Sequence, residues 1–205
     1  MWYSLTTTPI TQADSPDTRP QPGSRRCTRD LVFGGGAVAP VKDDALTRAF
    51  ADVVIVAGDN PGTIDLGNRR VRLDSLSGHT ASDIAIIDDD AGITWTGDLV
   101  WNGMFPNFVD AVPGTLAASV RKLEKTHART FVPGHGALAD RSALTRYLAL
   151  LDDIETAARR GHKEGTTAAQ VSGSYAIPAA LGEWMASKPS LERAMTAWYR
   201  QLDAR

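Results

Sequence analysis

Apolar residues are distributed unevenly along the chain. Residues 1–30 cluster Thr, Pro, Ser, Asp and Arg with almost no apolar periodicity, too little to bury surface against the entropy of ordering. A disordered arm is expected there, and a folded domain over 31–205. Gly34-Gly35-Gly36 marks a turn, a short helix is expected around Asp44 to Phe50, and Val53-Val54-Ile55-Val56 reads as a buried strand. Gly62 to Leu66 and Arg69 to Leu73 form a hairpin pattern across Gly67-Asn68. A second hairpin is expected from Asp83 to Ile87 and Ile93 to Thr96, with Asp88-Asp89-Asp90 as a solvated turn.

Helical spacing takes over further along. Leu116, Val120 and Leu123 form one stripe between Pro113 and His127, and a short strand follows at Thr130 to Val132, ending at Pro133-Gly134. From 138 to 205 the pattern is helical. Leu144, Leu148 and Leu151 line one face, and Leu191, Met195, Trp198 and Leu202 line another behind a candidate N-cap, Ser190. These stripes are expected in the core, as are Trp95 and Trp101 in preference to a stacking role, while the apolar loop from Trp101 to Pro106 reads equally as a packed loop or as the wall of a pocket.

Composition narrows the classes. A net charge of -2 gives no basic excess for nucleic acid or an anionic membrane, so the expected partner is a small-molecule substrate. The lone cysteine, Cys27, forms no internal disulfide, and no apolar run is long enough for a membrane span. With no signal-like start, a cytoplasmic location is the expectation.

Three polar residues stand where a strand pattern gives way to glycine: His79 in Ser77-Gly78-His79-Thr80, Asp98 in Thr96-Gly97-Asp98-Leu99, and His135 in Pro133-Gly134-His135-Gly136. Each is read as the C-terminal end of a strand, where a sheet fixes a ligand's position and adjacent glycine allows a sharp turn. Two imidazoles and a carboxylate are suitable zinc ligands, and iron or manganese would also accept them. His127 and His162 have charged neighbours and are expected at the surface.

In combination and in this order, the Gly-His-Thr, Gly-Asp and Pro-Gly-His-Gly elements resemble the second half of the metallo-β-lactamase superfamily, from about residue 52 to 136 and more loosely to the C-terminus. The resemblance implies an α/β fold, an αββα sandwich truncated in its N-terminal half. It implies that His79 completes one zinc site, Asp98 bridges two ions and His135 serves the second. The implied activity is hydrolysis of an ester, thioester, amide or lactone by metal-activated water. The family's earlier His-x-His-x-Asp-His segment has no counterpart, since His79 is the first histidine of the chain. With three donors left, at most one weakly held zinc and impaired or absent activity are expected. The alternatives are a non-catalytic remnant, or a subunit completed by another chain, for instance a homodimer through an exposed sheet face.

The genetic code offers an origin for the arm. Met1 and Trp2 have unique codons. Read from the third base, with synonymous codons available to Tyr3 through Thr11, the shifted frame spells Val-Val-Leu-Thr-His-His-His-Pro-Asp-His. Residues 1–30 are therefore read as a frame-shifted product, with the family's frame regained between Arg29 and Pro40.

Overall fold

The computed structural model describes residues 62–204. The expected arm at 1–30, the Gly34–Gly36 turn, the Asp44–Phe50 helix and the Val53–Val56 strand lie outside the described residues.

The sheet is built in chain order from β1 (Gly62–Asp65), β2 (Arg70–Leu76), β3 (Asp83–Asp88), β4 (Ile93–Asn102) and β5 (Thr130–Gly136). The first four strands are antiparallel neighbours, whereas β5 runs parallel to β4 after a crossover through helix α1 (Pro113–Glu124). A parallel neighbour needs such a crossover, because its connection must return to the same end of the sheet. Helices α2 (Arg141–Lys163), α3 (Ala168–Ser174) and α4 (Lys188–Asp203) follow, with one 3₁₀ turn at Ala179–Leu181.

Period-two alternation sorts the strands' side chains onto two faces. One face sends Leu76, Ala85 and Phe131 into a single core with Leu116, Val120 and Leu123 of α1, Leu144, Leu151 and Ile154 of α2, and Met195 and Trp198 of α4. The other face carries an apolar ladder in direct cross-strand register, Leu73 to Ile86, Ile86 to Trp95 and Trp95 to Val132. The described residues thus form one sheet and one helical layer, half of an αββα sandwich.

Burial holds the helical layer in place. Fully burying a Leu or Ile contributes about 1.5–3 kcal/mol, and Leu144, Leu150 and Ile154 are each completely buried. Ion pairs such as Arg121–Asp152 and Arg159–Glu155 are partly solvated, where a pair contributes about 0.2–1 kcal/mol. Apolar packing decides the layer; the pairs decorate it.

Several local expectations are corrected. The acidic turn is not fully solvated: Asp88 is buried, pairs with Arg69 at 3.0 Å and accepts from the Ala91 amide at 2.8 Å. Ser190 is not the N-cap of α4. Ser187 is, and Ser190 closes its capping box from the third helical position. Asp98 does not end a strand, because β4 continues to Asn102 through a register irregularity around Gly97. His127 is exposed, but His162 is half-buried, pairing with Asp203 at 2.8 Å and meeting the Tyr199 ring edge-on.

Candidate metal centre

His79 lies in the loop from β2 to β3. At Gly78 a β-carbon would stand 2.9 Å from the Leu116 amide nitrogen, so only glycine lets this loop rest against the start of α1. Two hydrogen bonds clamp it there: the Val112 amide donates to the Gly78 carbonyl at 2.9 Å, and the Ser119 hydroxyl to the Ser77 carbonyl at 2.6 Å. From the far end of the loop the buried Asp83 carboxylate accepts the His79 amide at 3.0 Å, the Thr80 amide at 3.1 Å and the Thr80 hydroxyl at 2.8 Å. These bonds wrap residues 79–83 into one closed turn that fixes the imidazole's origin.

Asp98 follows Gly97 inside β4, against the Pro133-Gly134 segment of β5. A β-carbon at Gly134 would collide with Asp98 Oδ1 and stand 2.9 Å from the Asp98 amide nitrogen. The carboxylate therefore occupies space that glycine leaves open. His135 follows directly, in register with Trp101 of the parallel neighbour.

Trp101 turns out to be part of the site as well as a packing residue. Its indole lies on the His135 imidazole, centroids 3.8 Å apart and planes 25° from parallel, and its Nε1 donates to the Asp98 carbonyl at 3.0 Å. One side chain thus ties the carboxylate's backbone to the imidazole's ring plane. Asn102 secures the following loop, donating to the carbonyls of Ala137 and Leu138 at 3.0 and 3.2 Å.

The three residues singled out in the sequence come together. His79 Nε2 is 3.7 Å from Asp98 Oδ2, and His135 Nε2 is 3.6 Å from Asp98 Oδ1. Each imidazole faces a different oxygen of one carboxylate. The His79 and Asp98 side chains are 12% and 9% exposed and that of His135 is 44% exposed, so the trio has a closed inner side and an open outer one. Among the described residues, no group of three or more His, Cys, Asp and Glu side chains is drawn tightly enough to be a ready metal cage. The arrangement is two donor pairs hinged on Asp98.

Burial pushes the Asp83 carboxyl above its ordinary range, opposed by the Thr80 and His79 hydrogen bonds and by the His79 charge. Burial likewise raises the Tyr147 phenol far above its usual value, with the Asp98 charge adding to the effect, so it stays un-ionised. His79 Nδ1 is buried without a hydrogen bond, 4.0 Å from Asp83 Oδ1. A separate cavity lined by Phe108, Val109, Glu192, Arg193 and Arg200 shares no residue with the trio.

Sequence reasoning missed Asp83, and it set the loop from Trp101 to Pro106 beside the site without foreseeing that Trp101 stacks on His135. A carboxylate four residues after His79 and an indole three residues after Asp98 were the available signals. Neither spacing is informative until the loop and the β4 irregularity are seen.

No protein-family model and no curated protein matches the chain. Among solved structures, it is similar to a stereoselective inverting sec-alkylsulfatase from Pseudomonas sp., with a TM-score of 0.63, 14% identity, and coverage of 72% of this chain and 26% of that one. It is also similar to a metallo-β-lactamase family protein from Thermus thermophilus, with a TM-score of 0.53, 15% identity, and coverage of 76% and 50% respectively. The chain spans about a quarter and about half of those two proteins. At these identities the likeness establishes the fold, which is that of the metallo-β-lactamases. No helix among the described residues is long and apolar enough to cross a membrane.

Proposed function

We propose that His79, Asp98 and His135 hold a metal ion, zinc by donor preference, and that the chain is a metal-dependent hydrolase by descent with impaired turnover. The observation that carries this reading is the placement of both Nε2 atoms against opposite oxygens of a nearly buried carboxylate. Two donors about 2.1 Å from one tetrahedral ion lie about 3.4 Å apart, close to the 3.6 and 3.7 Å observed. Each histidine–carboxylate pair therefore has the spacing of two donors to an ion, and holding all three donors on one ion needs the two pairs to converge on a common point.

When bound, the ion would supply Lewis acidity and a water acidified to a pKa of about 7. Asp98 would neutralise its charge, and the two imidazoles would set the direction of its open position. The half-exposed His135 side faces solvent, which gives an ester, thioester, amide or lactone carbonyl a route to the site. Trp101 would hold His135 in place during that approach. Three protein donors leave one position of a four-coordinate ion for water, the pattern of a catalytic site. A second ion would need donors beyond these three, which supports weak single-ion binding and slow turnover.

Zinc analysis of purified, zinc-equilibrated and dialysed protein tests the proposal, together with hydrolysis of a p-nitrophenyl ester. One zinc per chain with slow turnover is expected, and Asp98→Asn should lose both. A metal-free wild type, or an Asp98→Asn variant that retains zinc and activity, contradicts it.

A further inference from the structure

We propose that Asp83 is the positioning residue for His79: its Oδ1 accepts the Nδ1 proton of His79 when Nε2 faces the metal, fixing the ring's tautomer and plane. This rests on the metal-centre reading above.

Three observations converge on it. His79 Nδ1 is buried and makes no hydrogen bond. A buried ring nitrogen left unpaired is costly, so a partner close at hand has a strong claim on it. Asp83 Oδ1 lies 4.0 Å from Nδ1, while Nε2 on the other side of the ring is 3.7 Å from Asp98 Oδ2. The ring is thus held between two carboxylates with distinct duties, one shared with the metal and one behind the ring. Asp83 is already anchored by the amides of His79 and Thr80 and by the Thr80 hydroxyl, so its oxygen is presented from a fixed frame. About 1 Å of ring movement closes the gap to ordinary hydrogen-bond length.

The chemistry gives the pairing a purpose. A metal-binding imidazole must offer an unprotonated nitrogen, and a carboxylate on the opposite nitrogen selects that tautomer and increases the ring's basicity. Removing such a partner weakens metal binding by about 10–100-fold. The turn-forming bonds of Asp83 offer a competing explanation, in which the carboxylate only shapes the loop. Thr80 separates the two, since its hydroxyl serves the turn through Asp83 and the Ser82 amide but does not reach the ring.

The test measures Co²⁺ and Zn²⁺ affinity by competition with a chromophoric chelator in the wild type, Asp83→Asn, Asp83→Ala and Thr80→Val, with folding checked by circular dichroism. Proton NMR of the Co²⁺ form follows the exchangeable, paramagnetically shifted Nδ1 proton of His79. Asp83→Asn, which keeps the side chain's volume, should bind metal about 10–100-fold more weakly and lose the slowly exchanging proton signal, while Thr80→Val stays close to wild type in both. Equal weakening in Asp83→Asn and Thr80→Val, or unchanged affinity and signal in a folded Asp83→Asn, overturns the proposal. A wild type that binds neither metal overturns the metal centre itself, a different and recognisable outcome.

Discussion

Gly134→Ala is the sharpest probe of how the carboxylate is seated. The added methyl carbon would stand 2.9 Å from the Asp98 amide nitrogen and the Gly97 carbonyl carbon, and closer still to Asp98 Oδ1. Favourable contact begins at about 3.5 Å, so the β4 and β5 backbones must part by roughly 0.6 Å, and the carboxylate must swing further. Overpacking of this kind costs about 1–3 kcal/mol. For a domain of this size each kcal/mol lowers the melting temperature by about 2–4 °C, which sets the expected drop at roughly 2–12 °C. The effect on the site should be larger than the effect on the fold. A misplacement of about 1 Å costs on the order of 100-fold in function, and Asp98 is shared by both donor pairs. Differential scanning calorimetry and zinc competition on the same samples read both quantities. If Gly134→Ala melts with the wild type and binds zinc equally well, the carboxylate is not seated as described.

Four further outcomes follow from the same geometry. Co²⁺ binding should quench the fluorescence of Trp101 through its stacked neighbour His135, so Trp101→Phe should lose most of the metal-dependent quenching; equal quenching in the variant places the ion elsewhere. Arg69→Ala leaves the buried Asp88 carboxylate with one amide donor and no cation, and should lower unfolding free energy by about 1–3 kcal/mol, measured by urea titration. Asp140, the N-cap of α2, has its carboxyl held below the ordinary range by the Ala143 amide and then by Ser142. Because the folded-state value is depressed, its stabilisation is present above about pH 3.8 and lost as pH falls through the folded value, so the gap in melting temperature between wild type and Asp140→Ala should close under acid. Finally, the bases encoding Thr6 to Thr11 should spell the histidine-rich motif in the shifted frame, which sequencing the gene checks directly.

The hairpins, the crossover helix and the C-terminal stripes are legible because each rests on a local period: alternation at Asp83 to Ile87, and three-to-four spacing at Leu116, Val120 and Leu123. His79, Asp98 and His135 are legible as a set because each sits beside glycine in a motif of fixed order, and the fold brings them together. Contacts that depend on tertiary approach are not legible. Asp88 looks like one of three solvated carboxylates until Arg69 from the neighbouring hairpin closes over it. Ser190 looks like a cap because it precedes the apolar stripe, but Lys188-Pro189 already belongs to the helix, and Ser187 holds the exposed amide at position 190. Trp101 reads as part of a packed loop or a pocket wall, and nothing local reveals that parallel pairing sets it opposite His135. Asp98 lies beyond the expected strand because Gly97 reads as a stop, whereas the sheet absorbs it as an irregularity and continues.

X-ray absorption at the zinc edge of the loaded protein tests the central claim most directly. The account predicts a nitrogen and oxygen shell containing two imidazoles in the wild type, one imidazole in His135→Ala, and no retained zinc in Asp98→Asn. A wild-type spectrum without imidazole scattering, or one unchanged by His135→Ala, would contradict it.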